Sequence, residues 1–151
     1  MAEEISVTRD IAATPDVLWG RVSDISRMGD ISPESTAGEW LKGATGPTVG
    51  ARFKGNNKNG KKEWSTTCKV VECEPGRVFA FEVTSGPVKV ARWTYRFEPT
   101  DGGCRVTEIW TDQRGWLPKA LGKTVSGVAD RSAHNRATME ATLERLASLA
   151  E

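Results

Sequence analysis

The sequence lacks several features that would point to particular classes of protein. It has no apolar run of about 18 residues, so no membrane-spanning helix and no integral membrane association are expected. Its opening residues, MAEEISV, lack a basic segment followed by an apolar one, so we expect no secretory signal. The formal net charge is +1, which provides no overall field to attract nucleic acid or anionic lipid. We therefore expect a cytoplasmic protein with no nucleic-acid partner.

Histidine and cysteine, the usual zinc ligands, are also scarce. The single histidine, His134, has no partner at a metal-binding spacing, and we expect it on the surface. The three cysteines, Cys68, Cys73 and Cys104, cannot all pair within one chain and are interpreted as reduced thiols. No serine lies in a G-x-S-x-G motif. The composition therefore predicts neither a metal site nor a cofactor.

Tryptophan, by contrast, is abundant. Six tryptophans accompany four phenylalanines and one tyrosine in a chain of 151 residues. Such side chains fill a core, line a cavity or form an exposed apolar face. There is no repeat, linker or low-complexity segment, so residues 1–151 are expected to form a single domain.

The N-terminal residues predict a strand followed by a broken helix. Residues 4–11 alternate, with Ile5, Val7, Ile11 and also Arg9 on one face. In the stretch ATPDVLWGRVSDISRMGDISPE (13–34), a helix is predicted with Thr14 as its cap. Its apolar face comprises Val17, Leu18, Val22 and Ile25, and the bend between two short helices is expected at Gly29, Asp30 and Pro33. Met28 and Trp19 would then lie near this bend, either at a cavity mouth or in simple packing.

The middle of the sequence predicts an antiparallel meander. Residues 38–50, rich in glycine and proline, are interpreted as a loop, and NNKNGKK (56–62) as a turn. Short turn signals separate the predicted strands. These strands are ARFKG (51–55), EWSTTCKVVEC (63–73), RVFAFEVT (77–84), VARWTYRFEP (90–99) and CRVTEIWTD (104–112).

The C-terminal residues predict one long helix, from about Trp116 to Ala150. At about 100° per residue, one stripe contains small and polar residues in its first part and apolar residues in its second. This stripe comprises Val125, Val128, Ala129, Ser132, Arg136, Met139, Leu143, Leu146, Ala147 and Ala150. Residues 112–123, which contain Trp116, Leu117 and Leu121, are either a flap at a cavity mouth or the frayed start of the helix.

Four blocks of the sequence resemble the polyketide cyclase/dehydrase group of the START-like, Bet v 1-like (SRPBCC) superfamily. They are residues 7–24, 49–55, 93–110 and 134–151, in the same order as in that group. The resemblance implies an α+β helix-grip fold, in which a curved antiparallel sheet wraps a long C-terminal helix, with two short helices after the first strand. It also implies an internal cavity for a hydrophobic ligand. No catalytic motif of the superfamily transfers residue by residue to this sequence.

Strand alternation and the helix stripe together predict which side chains would line such a cavity. The candidate ligand-binding residues are Trp64, Thr66, Phe81, Trp93, Tyr95, Glu108, Trp110, Ser132, Arg136 and Met139. Three ionisable side chains, Arg9, Glu108 and Arg136, are expected to face the interior. They would form a structural ion pair, anchor a polar group of a ligand, or supply Glu108 as a general acid or base assisted by Tyr95.

Three functions remain open. The leading hypothesis is a non-enzymatic binder or carrier of a lipid-like or polyaromatic small molecule. The first alternative is a polyketide cyclase or dehydratase that uses Glu108 and Tyr95, and the second is an interaction module similar to chaperone activators. Lys54, Lys58, Lys61 and Lys62 are interpreted as a solvated hairpin tip, with a patch for nucleic acid or lipid headgroups as the alternative. Neither the ligand nor the oligomeric state follows from the sequence.

Overall fold

A computed structural model describes residues 3–115, 128 and 130–150. Within this part of the chain, seven strands form one sheet, two short helices lie between the first and second strands, and a long helix follows the last strand. The elements are β1 (Glu4–Ile11), α1 (Pro15–Ser23), a 3-10 helix (Ile25–Asp30), β2 (Ser35–Trp40), β3 (Arg52–Asn59), β4 (Lys62–Glu74), β5 (Val78–Ser85), β6 (Val88–Thr100), β7 (Gly103–Asp112) and α2 (Arg131–Ala150).

The sheet is antiparallel throughout, in the order β1-β7-β6-β5-β4-β3-β2. Register shifts between Val70 and Glu72 and between Val83 and Thr84 interrupt the regular pairing of β4 with β5 and of β5 with β6, as β-bulges do. α2 packs against β1 and β7 on the inner face. The predicted α+β fold, a curved sheet around a C-terminal helix, is confirmed.

Two short helical segments follow β1, as predicted, but the break between them lies earlier. Thr14 caps α1 by accepting a hydrogen bond from the backbone N–H of Val17 (3.3 Å). The chain leaves helical geometry at Asp24 (φ −81°, ψ 87°), whereas Gly29 and Asp30 lie within the 3-10 helix. The bend predicted at Gly29–Pro33 is therefore wrong in position.

The apolar face predicted for these segments is correct at Leu18, Val22 and Ile25, which are buried. It is wrong at Val17, which is 49% exposed because the face of α1 that packs on the core passes through Leu18 and Val22.

The predicted loop 38–50 is wrong at its start, because Gly38, Glu39 and Trp40 belong to the edge strand β2. Glycine is required at position 38, since an added Cβ would lie 2.9 Å from Ile25 Cβ. This close approach lets β2 pack directly on the 3-10 helix. The predicted turn 56–62 is also too long, because β3 continues to Asn59 and the turn is confined to Gly60 (φ 61°) and Lys61.

The inner faces of the strands agree with the predicted alternation. On β1, Ile5, Val7 and Ile11 are buried. Arg9, by contrast, is exposed, and so is Arg136 on α2, so the prediction that both point into the interior is wrong. The outward lysines Lys54, Lys58, Lys61 and Lys62 are all exposed.

The described part of the C-terminal helix, α2, buries Met139, Leu143, Leu146 and Ala147, as the predicted stripe requires. The earlier part of that stripe, Val125 and Ala129, and the predicted flap residues Trp116, Leu117 and Leu121 lie outside the described residues. Among the described residues, no helix combines the length and the apolar character needed to cross a membrane.

Candidate functional site

A cavity of about 420 Å³ lies between the inner face of the sheet and α2. Its walls come from β3 to β7, from the 3-10 helix and the residues after it, and from one face of α2. Aromatic and aliphatic side chains, which come mainly from the strands, make up about half of the lining, and hydroxyl, amide and charged side chains make up most of the rest. Such a mixed wall is suited to an apolar small molecule that carries polar groups.

The aromatic wall follows from the period of two along each strand. Phe53, Trp64, Phe81, Trp93 and Trp110 all lie at inward positions of their strands. The antiparallel register then places Phe81 opposite Trp93, and Trp93 opposite Trp110. Phe53 and Phe81 pack edge to face with ring centroids 5.2 Å apart. The register therefore aligns Phe81, Trp93 and Trp110 across three neighbouring strands, whereas Trp64 lies further along β4, opposite Asn57.

One carboxyl group lies within this wall. Glu108 is 2% exposed, and its Oε2 accepts a 2.8 Å hydrogen bond from Oη of Tyr95, its register partner on β6. Its other oxygen, Oε1, is buried without a hydrogen-bond partner among the described residues. A buried polar atom without a partner is costly unless something else satisfies it.

Burial controls the ionisation of this pair. Desolvation raises the pKa of Glu108 from its ordinary 4.5 to about 8, although the hydrogen bond from Tyr95 opposes the rise. Desolvation, together with the nearby Glu108 carboxyl, also holds the pKa of Tyr95 well above 10. At neutral pH most Glu108 side chains are therefore protonated and uncharged, and Glu108 can both donate and accept hydrogen bonds.

A group of charged side chains lies at one end of the cavity, where α2 begins. Arg131 Nη1 contacts both carboxylate oxygens of Glu34, at 2.8 and 3.0 Å, and the Arg131 guanidinium lies 5.9 Å from the ring centroid of Trp64. His134 Nε2 lies 2.9 Å from Glu34 Oε2. These contacts tie the start of α2 to the segment before β2 and to β4. We call Glu34, Arg131 and His134 the mouth cluster.

A second ion pair lies at the end of β7. Arg114 makes two side-chain contacts with the buried carboxylate of Asp112, at 2.9 and 3.0 Å. This bidentate geometry holds the Arg114 guanidinium at the cavity wall. Both arginines that line the cavity among the described residues, Arg114 and Arg131, are thus engaged by carboxylates.

Most of the candidate residues predicted from sequence meet in this cavity. Trp64, Thr66, Phe81, Trp93, Tyr95, Glu108 and Trp110 all line it, whereas three helix candidates, Ser132, Arg136 and Met139, do not. Ser132 hydrogen-bonds Glu3, Arg136 is exposed, and Met139 is buried in the core. Whether the cavity-lining residues bind a ligand remains a prediction.

The helix face was missed because the predicted stripe was rotated by about one residue. The face that lines the cavity consists of Arg131, Asn135, Thr138 and Thr142. Their spacing of four, three and four residues is that of one helical face. This signal was present in the sequence, but a search for apolar residues alone passes over it because all four are polar.

The remaining candidate residues have simpler roles. Met28 lines the cavity, whereas Trp19 donates a 2.9 Å hydrogen bond from its ring N–H to the carbonyl of Val78 and packs against the core. His134 is half-buried and lies in the mouth cluster, so the expected surface position is only partly correct. Cys68 lines the cavity, but burial raises the pKa of its thiol to about 12, which makes it a poor nucleophile. The described residues contain no group of three or more histidine, cysteine or acidic side chains arranged to hold a metal ion.

The fold and the cavity can now be compared with known proteins. Residues 2–151 match the family model described as polyketide cyclase / dehydrase and lipid transport. The chain belongs to this family. No curated protein matches the sequence significantly.

Solved structures with the same architecture extend the comparison. A polyketide-cyclase-like protein from Corynebacterium glutamicum is 29% identical, with 99% of this chain and 83% of that one covered, at a TM-score of 0.57. The di-domain ARO/CYC protein StfQ of the steffimycin biosynthetic pathway is 14% identical, with 99% of this chain and 51% of that one covered, at a TM-score of 0.76. A major latex-like protein from Panax ginseng is 12% identical, with 100% of this chain and 99% of that one covered, at a TM-score of 0.72. The last two likenesses show the Bet v 1-like fold alone.

Proposed function

We propose that this member of the polyketide cyclase / dehydrase and lipid transport family binds and carries a hydrophobic small molecule in the cavity between the sheet and α2. The observation that carries the proposal is a cavity lined by six aromatic side chains of the strands, with Glu108 also in its lining. Among the described residues, Glu108 Oε1 is the one buried side-chain polar atom without a hydrogen-bond partner. An apolar ligand that buries about 300 Å² would gain about 7 kcal/mol from desolvation, before the entropy of association is subtracted. A polar group on the ligand that reaches Oε1 would fix its orientation.

The arrangement of the mouth cluster supports this proposal. The charged groups of Glu34 and Arg131 lie at one end of the cavity, and the aromatic rings form its body. A ligand would thus meet aromatic side chains along the cavity and charged side chains at one end. The three cysteines are free thiols, and on that ground we also propose a cytoplasmic location.

Tryptophan fluorescence provides the test, because three tryptophans line the cavity. A polycyclic hydrocarbon such as anthracene should quench the emission of Trp64, Trp93 and Trp110 in a saturable manner. Thr138→Phe, which places a ring in the cavity from α2, should weaken this binding at least about tenfold. Ala137→Phe, on the exposed face of the same helix turn, is the matched control and should bind like the wild type. Equal binding by both variants would place the ligand elsewhere and reject the proposal.

A second function, cyclisation of a poly-β-ketone, is favoured by the same carboxyl group. In its ionised form, Glu108 would take a proton from a carbon between two carbonyl groups, and the resulting enolate carbon would attack a further carbonyl of the same chain. The alkoxide formed would take the proton back from Glu108. The carboxylate would then remove the remaining proton of the carbon between the two carbonyl groups and pass it to the departing hydroxyl group, so that a C=C bond forms and water leaves. A raised pKa is suited to this exchange, because both protonation states are populated near neutral pH.

A measurement of turnover distinguishes a carrier from a cyclase. A cyclase should convert a linear poly-β-ketone thioester to a dehydrated cyclic product that is detected by mass spectrometry, and Glu108→Gln should abolish the conversion while product still binds. A carrier should show binding without conversion in both proteins. The third hypothesis, an interaction module with a filled core, is disfavoured by the cavity.

A further inference from the structure

The charge of the preferred ligand can be inferred from the polar groups that the cavity offers. Glu108 is one of the residues that line the cavity, and its Oε1 is buried without a hydrogen-bond partner among the described residues. Its carboxyl is fixed from the other side by Tyr95, which donates to Oε2. The site therefore combines one buried carboxyl oxygen that has no partner among the described residues with the aromatic side chains of the strands. On the helix side, the hydroxyls of Thr138 and Thr142 already bond to backbone carbonyls.

Cations are available only at the boundary of the described cavity, and each is already engaged. Arg131 is held by Glu34 and Arg114 by Asp112, each through two contacts of 3.0 Å or less. A ligand carboxylate would have to displace one of these partners or enter the aromatic region without a counter-charge. Either route carries a penalty, since an unpaired charge in an apolar site is strongly disfavoured.

From this arrangement we propose that the cavity selects uncharged ligands whose hydroxyl or carbonyl group bonds to Glu108 Oε1, in preference to carboxylates of the same skeleton. The inference rests on the proposed function, because it presumes that the cavity is the ligand site. It narrows that function by excluding ionised fatty acids and aromatic acids as preferred ligands. The matching chemistry is that of ketones, phenols and alcohols on an aromatic or aliphatic body.

The protonation of Glu108 gives this selection a pH dependence. A carbonyl ligand accepts a hydrogen bond only from the protonated form, so its affinity should fall as pH rises through about 8. By the same linkage, binding of the carbonyl should raise the pKa of Glu108 further. Titratable and charged groups around the cavity are Tyr95, which bonds Glu108 directly, and Cys68, Glu34, Arg114 and Arg131.

The experiment compares three derivatives of one skeleton by fluorescence titration at about pH 6.5 and about pH 9. The aromatic probes are anthracene, its methyl ketone and its carboxylic acid. The aliphatic probes are undecyl methyl ketone and tridecanoic acid, and their binding is measured by competition with anthracene. We expect each ketone to bind at least about tenfold more tightly than its matched acid at the lower pH. The advantage of the anthracene ketone over anthracene itself should shrink at the higher pH.

Variants of Glu108 test whether its carboxyl group causes the preference for the ketone. Glu108→Gln keeps an N–H donor at this position, so the preference for the ketone should survive but lose its pH dependence. Glu108→Leu should bind the ketone no better than anthracene. Glu98→Gln, on the exposed outer face of β6, is the control and should behave as the wild type does.

The outcomes separate this inference from the proposed function. If every probe binds but the acid binds as tightly as the ketone, or more tightly, the inference is overturned and the carrier function stands. If the ketone preference persists in Glu108→Leu, the anchor is not Glu108 and the inference is again overturned. If no probe of either skeleton binds, both the inference and the proposed function are rejected.

Discussion

Tyr95 and Glu108 face each other on neighbouring strands, and the hydroxyl of Tyr95 donates a 2.8 Å hydrogen bond to Glu108 Oε2. The sheet register thus fixes one oxygen of the carboxyl and leaves the other, Oε1, buried without a partner among the described residues, on a side chain that lines the cavity. Because both residues lie at inward positions of their strands, no movement of a loop is needed to assemble the pair. The pair is a buried polar feature of the same sheet that carries the aromatic lining residues.

The first prediction concerns the pH dependence of folding. Since burial raises the pKa of Glu108 from 4.5 to about 8, the folded protein retains a proton that the unfolded chain releases between these values. Stability should therefore be lost as pH rises from about 4.5 through about 8, by an amount on the order of 5 kcal/mol. Denaturant unfolding at about pH 5 and about pH 8.5 measures this loss, and Glu108→Gln should show much less of it. Parallel pH profiles of the two proteins would mean that Glu108 is solvated.

The second prediction concerns the tyrosine. The hydrogen bond from Tyr95 favours the ionised form of Glu108, so Tyr95→Phe should raise the pKa of Glu108 above about 8. It should also lower the free energy of unfolding by about 1–2 kcal/mol at neutral pH, because a second carboxyl oxygen loses its partner. Carbon-13 NMR of the glutamate carboxyl carbons follows the titration. A pKa that falls in Tyr95→Phe would contradict the geometry of the pair.

The third prediction separates two arginines of α2. Arg131→Met removes the cation that holds Glu34 at 2.8 Å, and both side chains are at least four-fifths buried, so a loss of about 2 kcal/mol in unfolding free energy is expected. Arg136→Met alters an exposed side chain and should change stability by less than about 0.5 kcal/mol. Thermal unfolding of the two variants tests the difference. A larger loss of stability in Arg136→Met than in Arg131→Met would indicate that α2 buries a different face from the one described.

The fourth prediction concerns a close approach of two segments. An alanine at position 38 would place its Cβ 2.9 Å from both Cβ and the carbonyl oxygen of Ile25, so Gly38→Ala should destabilise the protein by about 1–3 kcal/mol. Gly20→Ala is the matched control. It lies in α1 with no atom within 4 Å of the added Cβ, and it should stabilise the helix by about 0.5–1 kcal/mol. Equal effects in denaturant unfolding would show that β2 does not pack on the 3-10 helix.

Several features of the fold could be predicted from local sequence alone. The alternation of Phe79, Phe81 and Val83 set the inner face of β5, and that of Trp93, Tyr95 and Phe97 set the inner face of β6. Short turns then required antiparallel neighbours. Glu108 was placed in the interior by the same period of two. These predictions succeeded because the pleat of a strand relates every second residue without reference to distant parts of the chain.

Other features depend on distant contacts that local patterns do not contain. β2 has weak strand propensity, and it forms because it pairs with β3 and packs through Gly38 on the 3-10 helix. The cavity face of α2 was misjudged because Asn135, Thr138 and Thr142 are polar, and their burial reflects the polar boundary of a cavity rather than an apolar core. The mouth cluster joins Glu34 to Arg131, residues far apart in sequence, and no spacing rule relates them.

The central claim is that the cavity holds a hydrophobic small molecule, and native mass spectrometry of freshly purified protein tests it most directly. The wild type and Ala137→Phe should each carry an added mass that is released on denaturation and identified as an uncharged hydrophobic compound. Thr138→Phe, with the cavity occupied by its own side chain, should be found without that mass. Wild-type protein that remains free of ligand after incubation with a lipid and polyaromatic extract, or Thr138→Phe that retains the same ligand, would contradict the account.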